Sequence, residues 1–277
     1  MKKTSKVFYT IFAIVASFLA LLPVLLNLAG SFVSELFAES VFSGTLEGAA
    51  KDAEGITSIF SIGQYTDVLI ASPDYLFRFW NSVALVVPVV IFQMILSSLT
   101  AYGLSQGKGK FFSAVLLVYL VLMMLPKQVT VIPNYYAVKE LGLLNTNFAI
   151  WLPGIFSPFS VYLLTKYMKR VPKETLEAAR LDGAGEFRLY FHIMLPAVKG
   201  EFIALSTLVL VDTWNQVELP LMMFSDAQKY PLSVYLSMIR ENAAGISFAS
   251  SMIYMIPVVL LFLYASKELE RGVGSMN

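Results

Sequence analysis

The sequence predicts an all-α membrane protein of about six transmembrane helices, on three observations. Of its 277 residues 57% are hydrophobic and only 14% are charged, against roughly 25% charged in an ordinary soluble domain. The apolar residues gather into six separate blocks, each near the roughly 20 residues a helix needs to cross a bilayer core. A water-soluble domain of this length would need far more polar surface to cover itself.

The first block, about Val7 to Ala29, contains Pro23. Its apolar core is longer than the roughly 7–15 residues of a signal-peptide core. No convincing small-residue cleavage site follows it, so it is expected to be a retained anchor. The second block runs about from Ser82 to Gly103, the third from Phe111 to Ile132 and the fourth from Phe148 to Lys166. The fifth spans about Phe202 to Met223 and the last about Phe248 to Ser266. Pro88, Pro153, Pro158 and Pro257 are expected to bend these spans, tolerated because neighbouring groups satisfy the freed carbonyls. Tyr135, Tyr136 and Trp151 fit an aromatic belt at the outer boundary. The Met123-Met124 and Met222-Met223 pairs read as packing residues.

Orientation follows from lysine and arginine in the short connections. The N-terminus carries Lys2, Lys3 and Lys6, the hairpin after the second span Lys108 and Lys110, and the tail Lys267 and Arg271. Between spans four and five lie Lys166, Lys169, Arg170, Lys173, Arg180, Arg188 and Lys199. These segments share one side and hold fourteen of the twenty basic residues. Both termini are therefore predicted to be cytoplasmic. The first external loop, about Ser31 to Phe77, holds seven acids and one lysine. It is too long for a simple connection. A solvated insert and a docking surface both fit it. The external stretch from Ser225 to Ile246 likewise fits a docking loop or a plain linker.

Composition excludes several chemistries. A net charge of +1 gives no electrostatic basis for a nucleic-acid partner. The absence of cysteine removes disulfides, thiolate metal sites and a thiol nucleophile. The single histidine, His192, removes a histidine-rich metal site and reads as a surface or packing residue.

The segment from Met168 to Gly200 is unlike the rest. Pro172 suits a first helical turn, where its missing donor costs nothing. Glu174 and Glu177 lie near the positive end of the helix dipole. Gly183 and Gly185 interrupt, as a C-cap or sharp turn requires. A second amphipathic piece follows, with Phe187, Tyr190, Phe191 and Met194 at helical spacing, ended by Pro196. The product is a helix–turn–helix elbow on the cytoplasmic face that projects Ala178, Ala179, Gly183 and Ala184 between charged residues. It suits a groove on a cytosolic partner; a helix lying in the headgroups fits the same pattern.

The run Glu177-Ala178-Ala179, three residues, Gly183, nine residues, Ile193, one residue, Leu195-Pro196 matches the EAA loop of binding-protein-dependent ABC importer permeases at every defining position. Leu141 to Thr146, Pro172 to Glu174, Asp182 to Ala184, Trp214-Asn215, Pro220 and Ala101-Tyr102 extend the likeness. Over about Gln64 to Met238 the chain resembles the carbohydrate-uptake branch, and is similar to the second membrane subunit of the maltose transporter. The tail from Glu270 to Asn277 lacks the family's glycine-and-alanine-rich ending, and no role is carried over to it.

The resemblance implies two domains: residues 1–77, a first helix with the acidic loop, and residues 78–277, a five-helix importer core with the EAA loop at about 168–200. It implies a permease in a bacterial or archaeal plasma membrane that moves a sugar or oligosaccharide. The partners would be a second homologous permease, two cytosolic ATPases, an external solute-binding protein and membrane lipid. This chain would bind no cofactor or metal and hold no catalytic residue, with ATP and Mg on the ATPases. No GxxxxGK[ST] occurs in the sequence. The coupling helix would lie around Glu177, Ala178, Ala179, Asp182, Gly183, Ala184 and Gly185, supported by Ile193, Leu195 and Pro196.

Polar groups inside a bilayer are costly and are functional candidates by default. Gln93 interrupts the second span, and Asp212, Trp214, Asn215, Gln216 and Glu218 interrupt the fifth. Trp214 would stack on a sugar face and Asn215 or Gln216 bond its hydroxyls. Alternatively these groups bond neighbouring helices or line a gate. An ABC permease for a non-sugar solute is the nearest alternative function. A polytopic membrane enzyme lacks the nucleophile or metal motif it would need, and a secondary transporter would be expected to show inverted repeats.

Overall fold

The computed structural model describes residues 3–34, 60–71, 73–238 and 244–274, the side chains of residues 3–8, 73, 244 and 267–274 excepted. Among them the only extended pairing is an isolated antiparallel bridge between Val33 and Phe60. The acidic stretch from Glu35 to Glu54, Arg240, and the end of the tail at residues 275–277 lie outside the described residues.

Two units cluster separately: residues 1–77 with 235–257, and residues 78–234 with 258–277. The first unit opens with α1 (Lys3–Ser31), which contains Pro23. A short α2 (Gly63–Thr66) runs into a wide π-helical turn over Asp67–Ala71. The end of α1 is pinned to this turn. Ser31 Oγ and Tyr65 Oη share a 2.7 Å hydrogen bond, Ser61 N donates to Phe32 O at 2.8 Å, and Gln64 donates to Val33 O. Gly30 faces Phe248, and a Cβ there would come within 2.8 Å of the ring. Only glycine permits that approach.

In the second unit the long α3 (Pro73–Gln106), which begins in the first, is followed by α4 (Lys110–Met123) and α5 (Lys127–Glu140). Next come α6 (Phe148–Ile155) and α7 (Pro158–Met168), whose N-cap Ser157 accepts from Ser160 N at 3.2 Å. Beyond them are α8 (Lys173–Leu181), α9 (Glu186–Leu189), a π-helical turn over Tyr190–Met194, and α10 (Leu195–Ala197). The unit continues through α11 (Lys199–Trp214), α12 (Glu218–Met223) and α13 (Leu232–Ser237). The last helix, α14 (Ala244–Gly274), begins in the first unit and ends in the second.

Among the described residues four segments are long and apolar enough to cross a membrane: Tyr9–Ser31, Asp74–Gln106, Phe148–Met168 and Gly245–Ser266. They correspond to predicted spans one, two, four and six. The third predicted span, Phe111 to Ile132, is broken: α4 and α5 meet at 99° across residues 124–126. The reason is Pro126, whose ring keeps the preceding residue out of the helical region. The fifth, Phe202 to Met223, is interrupted at Asn215–Val217. Its apolar helix pairs instead with the segment before it, Glu186–Ala197, at a bend of 79°. Among the described residues this gives four candidate spans, or up to six if each bent pair is one span.

The main core of the second unit includes Met94 and Ala101 of α3, Leu164 and Met168 of α7, Leu176 of α8, Leu189, Met194, and Leu205 of α11. Where these helices lie in the bilayer, van der Waals packing between them holds this core, since lipid is as apolar as the side chains it would replace. A second cluster joins Leu85, Val138, Ile150, Leu219 and Met223. Above it the loop after α12 is tied down. Asn81 Nδ2 donates to Gln228 O at 2.7 Å, Leu232 N donates to Ser82 Oγ at 2.7 Å, and Lys229 Nζ donates to Asn145 O at 2.7 Å. Asn145 adopts φ 61°, where asparagine is tolerated better than most residues. Of the stretch Ser225–Ile246, residues 239–243 lie outside the described residues.

Candidate functional site

The elbow is built by α8, a turn and α9. Pro172 occupies the N-cap of α8, with Glu174 in the first turn and Arg180 in the last, as the helix dipole favours. The helix ends in a Schellman motif. Gly183 N donates to Arg180 O at 3.0 Å and Ala184 N to Ala179 O at 3.0 Å. Gly183 sits at φ 83°, the left-handed position that this motif gives to glycine.

The ten predicted coupling residues divide in two. Ala179, Ala184, Ile193 and Leu195 pack against the main core. Glu177, Ala178, Asp182, Gly183, Gly185 and Pro196 are exposed. The expectation that Ala179 and Ala184 project is therefore corrected. Ala179 shares the inward face of α8 with Leu176, three positions away, and the Schellman turn, through the bond from Ala184 N to Ala179 O, brings Ala184 back to the same side. Two apolar residues absent from the motif stand out at the tip: Leu181 is 90% exposed and Phe187 79%. Their sequence signal is an apolar residue on either side of the Asp182–Gly185 turn.

Polar contacts brace the elbow against the end of α3. Tyr102 Oη donates to Glu186 Oε2 at 2.5 Å, and Arg180 bonds Glu186 Oε1 at 3.1 and 3.2 Å. Arg180 Nη2 also reaches Gln106 Oε1 at 3.4 Å. Ser98 Oγ and Tyr190 Oη share a 2.6 Å hydrogen bond, and the Tyr102 and Tyr190 rings lie 5.4 Å apart. The hydrogen bond from Tyr102, with Arg180 adding to it, holds the Glu186 carboxyl below the usual carboxylate range. His192 is exposed on this element.

The second feature is a cavity of about 870 Å3 where two helix breaks meet. Its wall includes Lys127 and Gln128 at the start of α5, Asp212 near the end of α11, and Asn215, Gln216 and Glu218 around the second break. Lys127 donates to Asp212 in an ion pair. Three of the five predicted pathway residues, Asn215, Gln216 and Glu218, thus line one cavity. The other two lie elsewhere. Gln93 is buried and donates to Ser160 Oγ at 2.9 Å, bonding a neighbouring helix. Trp214 is buried edge-on to Phe79, with ring centroids 5.8 Å apart. Sequence reasoning missed Lys127, which stands immediately after the helix-breaking Pro126. Among the described residues no group of three or more His, Cys, Asp or Glu side chains could hold a metal ion.

The family described as binding-protein-dependent transport system inner membrane component matches residues 69–273. The chain is 28% identical to the arabinooligosaccharides transport system permease protein AraQ of Halalkalibacterium halodurans, over 79% of this chain and 81% of AraQ. It is 27% identical to the lactose transport system permease protein LacG of Rhizobium radiobacter, over 75% of this chain and 77% of LacG. Its fold is similar to a chain in the crystal structure of a bacterial ABC transporter that imports the acidic polysaccharide alginate. There the TM-score is 0.78 at 19% identity, covering 96% of this chain and 98% of the other. The family pattern takes in nearly three quarters of the chain, with the elbow and the whole cavity wall inside it. The chain therefore belongs to the inner-membrane components of binding-protein-dependent transport systems: it is a multi-pass ABC transporter permease, a component that is not itself an enzyme.

Proposed function

We propose that this permease moves a sugar or oligosaccharide through the membrane, delivered by an external binding protein and driven by ATP hydrolysis on two cytosolic ATPases. A second, homologous permease completes the pathway. ATP and Mg bind to the ATPases and no cofactor binds here. The names of the relatives AraQ and LacG, both saccharide permeases, support the solute class. Both termini face the cytoplasm, a reading supported by the excess of lysine and arginine on that side. Residues 1–77 form an anchor with an external loop, and residues 78–277 form the transport core.

In this reading the elbow is the coupling helix. One observation carries it: Leu181 and Phe187 are exposed at the tip of a segment whose inner face packs on the core and which the Tyr102–Glu186–Arg180 contacts tie to α3. Two large apolar side chains left exposed on an otherwise charged element suit the close contact of a partner protein. A stiff arm seated in an ATPase transmits closure of that ATPase as a rigid-body movement between two packings of the spans. Asn215, Gln216 and Glu218 meet the solute.

The absence of native cysteine provides the test. Leu181→Cys should cross-link to a cysteine in an ATPase cleft within the purified assembly and be shielded from aqueous thiol reagents there. Free reactivity of that cysteine in the intact, transporting assembly would overturn the coupling role.

A further inference from the structure

The cavity at the two helix breaks carries a charge pattern that selects among saccharides, and this inference rests on the carbohydrate reading of that cavity. The wall holds one cation and two carboxylates: Lys127, Asp212 and Glu218. Lys127 is already engaged by Asp212, and among the described residues Glu218 takes part in no ion pair. The local balance is therefore negative. The pair is held open to the cavity, with side chains 67% and 59% exposed. The rest of the wall alternates the amides of Gln128, Asn215 and Gln216 with the apolar Val131, Leu208 and Val211.

We infer that this wall is built for uncharged saccharides and disfavours polyanionic ones, with Lys127 and Asp212 as its specificity pair. An uncharged saccharide offers hydroxyls on its edges and C–H groups on its ring faces. The hydroxyls donate to Asp212 and Glu218 and accept from Lys127, giving charge-assisted hydrogen bonds. The ring faces meet the valines and the leucine. A uronic-acid chain instead brings carboxylates to a wall whose one lysine is neutralised and whose remaining charge has the same sign. Like charges set side by side reject a ligand without any steric block.

The test uses the assembled transporter with cysteine-free partners and Gln216→Cys as the reporter, with Gln128→Cys as a second reporter should the first fail to assemble. Its labelling rate is measured with a cationic and an anionic thiosulfonate of similar size, each relative to the free thiol. The cationic reagent should be favoured by about fivefold or more. Asp212→Asn combined with Glu218→Gln should remove that preference, and Lys127→Met should enlarge it. A preference for the anionic reagent, or one that these substitutions leave unmoved, overturns the inference. Arabinotriose should slow labelling of the reporter, and an alginate trisaccharide at the same concentration should not. Equal protection by both overturns the specificity. Protection by neither overturns the carbohydrate reading of the cavity on which the inference rests, separately from the charge preference.

Discussion

Two exposed ion pairs among the described residues lie in opposite settings. Arg180–Glu186 lies on an elbow whose inner face is filled by Leu176, Leu189 and Met194, and Tyr102 and Gln106 of α3 add further bonds. Lys127–Asp212 joins two helix ends beside a cavity of about 870 Å3, with little packed around it. An exposed pair by itself is worth at most about 1 kcal/mol. What separates the two is therefore the packing behind them: a filled core behind the elbow, an open wall beside the cavity.

The sharpest challenge to that contrast is a pair of truncations. Leu189→Ala in the elbow core should cost about 3 kcal/mol. Leu208→Ala on the cavity wall should change stability by no more than about 0.5 kcal/mol. Thermal unfolding of the purified permease measures both, and equal losses would erase the distinction. Next in size is Gly183→Val. No atom lies within 4 Å of a Cβ placed there, so the penalty comes from φ 83°. It should reach about 1–2 kcal/mol and fall on the Schellman turn. Solute moved per ATP should drop while membrane insertion is kept, and Gly183→Asn should be milder.

Smaller still is Tyr102→Phe, which removes the donor to Glu186 and should cost under about 1 kcal/mol at this solvated site. It should lower the coupling ratio, and a double-mutant cycle with Glu186→Gln should show the two losses to be shared. The least effect should come from pH. A carboxylate with a lowered folded pKa stabilises above its unfolded pKa, and the gain disappears as pH falls through the folded value. Hydrogen exchange around Glu186 should therefore quicken in acid in the native chain and stay flat in Glu186→Gln.

The elbow was the more legible region. Proline, acidic residues, two glycines and the EAA spacing all act over a few residues, and a C-cap near Gly183 follows from local chemistry. The inward turn of Ala179 and Ala184 was not legible, since small residues serve equally for close approach and for packing. The spans were legible as apolar blocks and illegible in shape. Hydropathy runs on across Pro126 and Asn215 without registering that the helix stops there. Lys127 and Asp212 are 85 residues apart, and only the folded chain joins them. In isolation Asp212 and Glu218 read as interruptions of a span, when they belong to one wall.

The wide turn at Tyr190–Met194 has a geometric consequence. A residue in an ordinary α-helix advances about 100° around the axis, so one extra residue within a turn shifts the phase of everything downstream. Here Leu189 and Met194, five apart, are both buried in the main core, and Val198, Leu205 and Val209 follow them into it. Phe187 and Phe191, which look in phase with Met194 on paper, are left outside. The chain thus changes the facing of its helix by local overwidth alone, with no loop, and the outer half of the elbow keeps its own compass bearing while the inner half joins the bundle.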